Sequence, residues 1–220
     1  LLEISVVIPT LNAAASLAST IESVRGAGEV VVVDGGSGDG TKMLACGLGA
    51  RVIEAPRGRG AQLAAGAAAS GRDWLLLLHA DTRLEQGWAD AAAAHMARGP
   101  ATAGWFGFAL DSHDPRARRL ERLVAWRCRA LALPYGDQGL LIHRDLLQAA
   151  GGVRPLPLME DVDLVRRLGR SRLAPLGARA FTSAEKWERG GWTRRSARNL
   201  ACLSLWFAGV PPRLIVRLYG

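Results

Sequence analysis

The first 110 residues alternate between short apolar runs and longer stretches of helical composition. Ile4–Pro9, Glu29–Asp34, Arg51–Ala55 and Asp73–His79 are rich in β-branched residues or Leu, and each ends at polar, Gly or Pro residues. Between them, Ala13–Val24, Thr41–Leu48 and Gly60–Ser70 carry the Ala, Leu and Met content that favours helix. This rhythm predicts right-handed βαβ crossovers, and so an α/β fold with a mostly parallel central sheet covered by helices on both faces. A helix is expected at Gln86–Arg98, and then the pattern changes. Thr102–Leu110 reads as a strand and Arg116–Leu133 as a basic amphipathic helix, with Leu120, Val124, Cys128 and Leu131 at i, i+4, i+8 and i+11. Gln138–His143 reads as a strand, Asp161–Leu168 as a helix, and a basic, Trp-containing segment, Lys186–Phe207, as a C-terminal helical region. No linker or repeat interrupts the chain, which implies one domain in two functional halves, 1–110 and 111–220.

Composition narrows the class. A chain of 220 residues, 49% hydrophobic and 22% charged, buries a full core and is not disordered. Its net charge of +8 suggests a nucleic-acid partner, but the distribution argues against one. Residues 1–100 hold 8 basic and 10 acidic side chains, net −2, whereas residues 101–220 hold 20 and 10, net +10. The basic residues are 26 Arg and only 2 Lys, as GC-rich codon usage alone produces. Cys46, Cys128 and Cys202 are odd in number and widely spaced, which fits reduced thiols in a cytoplasmic protein better than a disulfide framework or a zinc site. Ile4–Pro9 reads as a core strand rather than part of a secretory leader. No apolar run approaches a membrane span, and Leu200–Val210 is cut short by Pro211-Pro212.

Sheets of this kind bind ligands beyond the carboxyl ends of their strands. The first strand ends in Pro9-Thr-Leu-Asn12 and the second in Asp34-Gly-Gly-Ser-Gly-Asp-Gly-Thr41. A carboxylate followed by a Gly-rich turn can read a base or ribose and lets backbone approach the ligand. The same residues also suit a tight turn opening a helix. They do not fit the GxGxxG spacing, because Thr41 stands where the third Gly belongs. His79-Ala80-Asp81 ends the fourth strand, where alternate residues can share one divalent ion or simply form a turn. Arg57-Gly-Arg-Gly-Ala-Gln62 offers guanidinium forks to phosphate, or an exposed Arg pair. Glu160-Asp161 opens a helix, either capping it or holding a general base.

Taken in order, Val6-Val-Ile-Pro-Thr-Leu-Asn12, Val31-Val-Val-Asp-Gly-Gly-Ser-Gly-Asp-Gly-Thr41, Leu77-Leu-His-Ala-Asp-Thr82, Pro134-Tyr-Gly-Asp-Gln-Gly139 and Met159-Glu-Asp-Val-Asp-Leu164 resemble the family 2 glycosyltransferases of the GT-A, Rossmann-like fold. Within that family they look most like the bacterial branch known as radical-SAM/selenodomain-associated transferase 2. The resemblance implies a metal-dependent, inverting transfer of sugar from a nucleotide-diphosphate sugar. By the same resemblance, Pro9, Thr10, Asn12, Asp34, Gly35, Ser37, Arg57, Gln62 and Ala80 would line the nucleotide pocket, with Asp34 reading the base. Asp81, with His79 and Gln138 close by, would bind Mg²⁺ or Mn²⁺. Asp161, with Glu160 beside it, would act as the base.

Three residues depart from the family pattern. His79 replaces the first Asp of the usual DxD, Ala13 stands where many members carry Glu, and Ala64 stands where Asn is expected. These departures bear on the donor nucleotide and the metal more than on the reaction type. The expected acceptor is an unspecified hydroxyl or phosphate-bearing group; the basic half reads either as a solvated helical face packed on the sheet or as a surface for a lipid-linked or anionic acceptor. The expected location is the cytoplasm, with peripheral contact at the inner face of the membrane through the basic half. Trp187, Trp192 and Trp206 with Arg189, Arg194, Arg195 and Arg198 extend that theme. A nucleotidyltransferase of similar sheet, or a non-catalytic nucleotide or anionic-surface binder, is the alternative; no nucleic-acid motif is present.

Overall fold

In the computed structural model, which describes residues 1–135 and 137–219 apart from the side chains of Lys186 and Tyr219, β1 (Leu2–Thr10) lies inside the sheet. Its Ile4, Val6, Val7 and Ile8 are fully buried, on both faces of the strand. That is the signature of a strand covered on two sides. β2 (Ala27–Asp34), β3 (Arg51–Glu54) and β4 (Trp74–Leu77) extend the parallel half. β5 (Thr82–Leu84), β6 (Ala103–Asp111), β7 (Leu140–His143) and β8 (Leu173–Ser183) complete one eight-stranded sheet in the order β3-β2-β1-β4-β7-β6-β8-β5. β6 and β8 are also parallel, while β4/β7, β6/β7 and β5/β8 are antiparallel. The α/β expectation therefore holds, with a more mixed second half.

Helices cover both faces. α1 (Ala14–Ser23), α2 (Thr41–Gly47) and α4 (Trp88–Met96) close one core around Leu17, Ile21, Ala45, Trp88 and Ala92. α3 (Arg59–Ala69), α6 (Arg144–Ala149) and α7 (Glu160–Leu168) close the other, around Leu63, Leu147 and Leu164. α5 (Pro115–Leu131), α8 (Glu185–Gly190) and α9 (Trp192–Phe207) follow the basic segments, and α10 (Pro212–Tyr219) begins at Pro212. A proline can open a helix because its missing N–H is not needed there. The expected stop at Pro211-Pro212 is therefore also a start.

The structure differs from the sequence reading elsewhere too, including the unpredicted β5 and α6. The strand expected from Gln138 begins only at Leu140. β8 was not anticipated, since its buried positions include Ala178, Ala180 and Thr182, small residues that hardly register as a hydrophobic alternation. The stripe expected on α5 ends early: Cys128 is buried, but Leu131 is 54% exposed.

Much of the arginine excess ties backbone together. Arg118 bonds the carbonyls of Leu110 and Ser112, and Arg144 those of Ala67, Ser70 and Arg72. Arg167 reaches Ala150 and Gly152, and Arg170 reaches Arg129 and Ala130 at the C-terminal end of α5. Cations placed on the last carbonyls of a helix also oppose its dipole. Trp187 and Trp192 are buried in a small core with Leu110 and Ala117, beneath Arg195 and Arg116. They are structural, not interfacial.

Candidate active site

The loops after β1 and β2 are stitched into one shelf. Parallel register sets Thr10 beside Asp34. The Asp34 carboxylate is fully buried and accepts hydrogen bonds from Thr10 Oγ1 (3.2 Å), Ser37 Oγ (2.5 Å) and the N–H groups of Gly36 (2.9 Å) and Ser37 (2.8 Å). Burial alone would raise its pKa, but the bonds from Ser37, Gly36 and Thr10 together hold it below the usual carboxylate range. About four acceptor sites are all a carboxylate has, so Asp34 shapes the turn, and reading a base would require one of these bonds to be exchanged. Asn12, in the left-handed region at φ 50°, accepts from Gly38 N–H (2.9 Å) and donates its own N–H to Ser37 Oγ (2.8 Å). Pro9 is buried within β1 just before this shelf.

Gln62 lies beneath the shelf rather than in it. Its amide nitrogen donates to the carbonyls of Thr10 and Val33, both at 2.7 Å, and its oxygen accepts from Gly58 N–H at 3.3 Å. It straps the ends of β1 and β2 to α3. Gly35 sits against this amide: a Cβ there would lie 3.1 Å from its nitrogen. Arg57 is exposed, whereas Arg59, the other member of the expected Arg pair, is half-buried and points Nε at Glu160 Oε1, 2.9 Å away.

The chemistry converges on His79. β4 and β7 run antiparallel with Leu77 opposite Leu140. Extending that register two residues past Leu77 puts His79 level with Gln138, next to Asp137. The His79 Nδ1 to Asp137 Oδ1 distance is 2.8 Å. Burial pushes the imidazolium toward losing its proton, but the bond to Asp137 and the charges of Asp137 and Asp81 together outweigh it, and the net pKa is raised. Ligand-capable atoms of His79, Asp81 and Asp137 all lie within 4.8 Å of one another, and so do those of His79, Glu160 and Asp161. From the Pro134–Gly139 segment the sequence nominates Gln138 and passes over Asp137; Gly136 lies outside the described residues. Gln138, expected near the metal, is 2% exposed, and its amide is taken up by other protein groups. It donates to Phe106 O (3.0 Å) and accepts from Arg127 (3.0 Å) and the Cys128 thiol (3.3 Å). Ala80, the residue between His79 and Asp81, has its carbonyl held by Thr20 Oγ1 at 2.9 Å.

Glu160 and Asp161 form the first turn of α7, entered through Met159 at φ 65°. Their environments differ. Asp161 is partly exposed and lines a cavity with His79, Tyr135 and Gln138. Glu160 lines the same cavity but is fully buried, and its carboxyl is pushed up by burial and by the charge of Asp161, against the pull of Arg59. Asp163, the third acid, is used structurally, paired with Arg154 (3.1 Å) and Arg167 (2.8 Å). Those pairs brace the 151–158 loop that leads into α7.

Comparison with known proteins bears on the family and the fold. The model of glycosyl transferase family 2 matches residues 5–146. No curated protein matches the chain. Among solved structures, a mycobacterial protein is 23% identical over 82% of this chain with a TM-score of 0.59, and the chain spans just under two thirds, 65%, of that protein's length. Glucosyl-3-phosphoglycerate synthase from Mycobacterium tuberculosis, crystallised with Mn²⁺, UDP and glucosyl-3-phosphoglycerate, is 22% identical over 94% of this chain and 80% of its own, with a TM-score of 0.57. S. aureus TarS 1–349 in complex with UDP-GlcNAc is 14% identical over 83% of this chain and 58% of its own, with a TM-score of 0.64. These likenesses support a GT-A fold.

Proposed function

We propose, from the premise that this chain belongs to glycosyl transferase family 2, that it transfers a sugar from a nucleotide-diphosphate sugar to an acceptor hydroxyl with inversion. The observation that carries this reading is the convergence of His79, Asp81, Asp137, Glu160 and Asp161 at the carboxyl edge of the sheet. The donor set, an imidazole with carboxylate oxygens, suits Mg²⁺ or Mn²⁺. His79, Asp81 and Asp137 would hold the ion, with Asp137 supplying the carboxylate that His79 displaces from the usual DxD. Such an ion, when bound, neutralises charge on the leaving diphosphate.

The remaining roles fall to the chain itself. The shelf of Pro9, Thr10, Asn12, Gly35, Ser37 and Ala80 faces the nucleoside, and Asp34 and Gln62 keep that shelf in shape. Arg57 is free to swing toward phosphate oxygens. Asp161 takes the proton of the acceptor hydroxyl as its oxygen bonds to C1, and the C1–O bond to the diphosphate breaks on the opposite face. Glu160, buried on the same cavity and paired with Arg59, stands beside Asp161 as the second acid. Residues 1–110 thus serve the donor and residues 111–220 the acceptor.

The HADT and PYGDQG segments support a place in the radical-SAM/selenodomain-associated branch. The Arg-rich second half supports a lipid-linked or anionic acceptor and a cytoplasmic location at the inner membrane face. Among the described residues, no helix is long and apolar enough to cross a membrane.

The test is release of nucleoside diphosphate from a panel of UDP- and GDP-sugars with Mn²⁺. Asp161→Asn is expected to slow transfer by about 10²–10⁴-fold with an unchanged melting temperature. Equal rates for wild type and Asp161→Asn would remove the assigned base.

A further inference from the structure

α5 has two faces with different fates. Ala117 and Cys128 point inward, and Arg127 leaves the helix to hold the 133–138 loop. On the opposite side, Leu123, Trp126 and Ala130 follow at i, i+3 and i+7 and share one stripe. Leu123 is 64% exposed and Trp126 61% exposed. Large apolar side chains left in water along one line of a helix mark an interaction surface. Arg119, Arg122 and Arg129, all exposed, border this line. In contrast to Arg118, Arg144, Arg167 and Arg170, these three do not clamp carbonyls of other elements.

We infer that this outer face of α5 docks the protein on an anionic lipid bilayer. An apolar centre with a Trp, edged by cations, matches the headgroup boundary, where the ring and Leu enter and the guanidinium groups meet lipid phosphates. A protein partner would call for a less uniformly basic rim. The charge asymmetry of the chain has the same sense, since the half containing α5 carries the whole positive excess. Docking here also places the membrane one layer from the reaction. The inner side of the same helix grips the loop whose Asp137 meets His79. This deepens the proposed membrane contact by naming its face and its lipid chemistry.

The experiment is co-sedimentation of the chain with phosphatidylcholine vesicles, with and without phosphatidylglycerol, in the absence of sugar nucleotide. Because no turnover is read, failure here leaves the transferase reading intact. Wild type is expected to partition onto the anionic vesicles only, and less so at high salt. Each arginine near an anionic surface contributes about a fivefold factor. The triple variant Arg119→Gln, Arg122→Gln, Arg129→Gln should therefore bind about a hundredfold more weakly. Leu123→Asp with Trp126→Asp should abolish binding while melting like wild type, because both positions are solvent-exposed. Absence of partition at low salt overturns the inference. So does a concentration-dependent dimer that the Leu123→Asp, Trp126→Asp variant dissolves while leaving vesicle binding unchanged, which would give the face to a second copy of the chain.

Discussion

Arg127 is the side chain that couples the basic helix to the reaction centre, and its removal has a size that can be worked out. Its Nε donates to Leu133 O at 2.9 Å, its Nη2 donates to Gln138 Oε1 at 3.0 Å, and its guanidinium lies 3.7 Å from the centre of the Tyr135 ring. Hydrogen bonds from a charged donor contribute about 1.5–3 kcal/mol each, and partial solvent contact favours the low end. The stacking contact adds about 0.5–1 kcal/mol. Gln138 Oε1 keeps the Cys128 thiol as a weaker donor, so Arg127→Ala does not orphan it. The loss is therefore about 3.5–4 kcal/mol. For a chain of this length each kcal/mol moves the melting temperature by about 2–4 °C, so the variant should melt about 7–16 °C lower. Arg122→Ala, one turn away and exposed, should cost less than about 0.5 kcal/mol. Arg127→Lys should fall between them, since an ammonium can still donate to one of the two carbonyl-type acceptors but has neither the fork nor the flat contact. Thermal unfolding followed by circular dichroism gives the comparison. Calorimetric titration with Mn²⁺ adds a second reading, because a loosened 133–138 loop should weaken the ion site through Asp137. If Arg127→Ala and Arg122→Ala melt within about 2 °C of each other, Arg127 does not hold the loop and the argument fails.

Three further outcomes follow from the same geometry. A Cβ on Gly60 would lie 2.7 Å and 2.8 Å from the backbone N and O of Leu156; Gly60→Ala should cost about 1–3 kcal/mol and also displace the loop leading to Asp161, so a kcat/KM equal to wild type would refute the coupling. Asp34 has a pKa held low in the folded state, so its stabilisation is present above the ordinary aspartate value of about 3.9 and lost as pH falls through the folded value; the gap in urea midpoint between wild type and Asp34→Asn should be constant from about pH 7 to 5 and shrink below about pH 4. Asp137→Asn should weaken Mn²⁺ binding measured by calorimetry, whereas Gln138→Ala should lower the melting temperature, and the reverse pattern would return the metal role to Gln138.

Legibility from sequence followed the range of the interaction. β1 to β4 and the helices between them were readable because each crossover is local: an apolar run, a turn and an Ala-rich helix. The acids at the strand ends could be nominated for the same reason, since a parallel sheet fixes where its ligands sit. Gln62 and Gln138 were read as ligand contacts because an amide in a motif looks the same whether it faces a nucleotide or a neighbouring carbonyl. Only the partners distinguish them, and those partners are 52 residues away at Thr10 and 32 away at Phe106. β8 escaped because alanines fill the space that larger residues usually advertise. Trp187 and Trp192 escaped because indole with arginine describes both a membrane interface and a cation stacked over a buried ring.

His79 shows why the central group was only half legible. As a departure from DxD it looks like a loss, because the residue two positions on, Asp81, remains the one acid of the pair. The antiparallel return of β7 beside β4 changes that, since it brings a residue 58 positions away to hydrogen-bonding distance. Asp137 then restores the second carboxylate, and it does so on a loop that α5 clamps through Arg127. The substitution at His79 and the arginine-rich helix, which look unrelated along the chain, are therefore two ends of one structural connection. Weakening that connection at Arg127 and deleting its tip at Asp137 should produce the same loss of Mn²⁺ affinity, and the double variant should lose little more than either single one, as expected when residues act through a shared element.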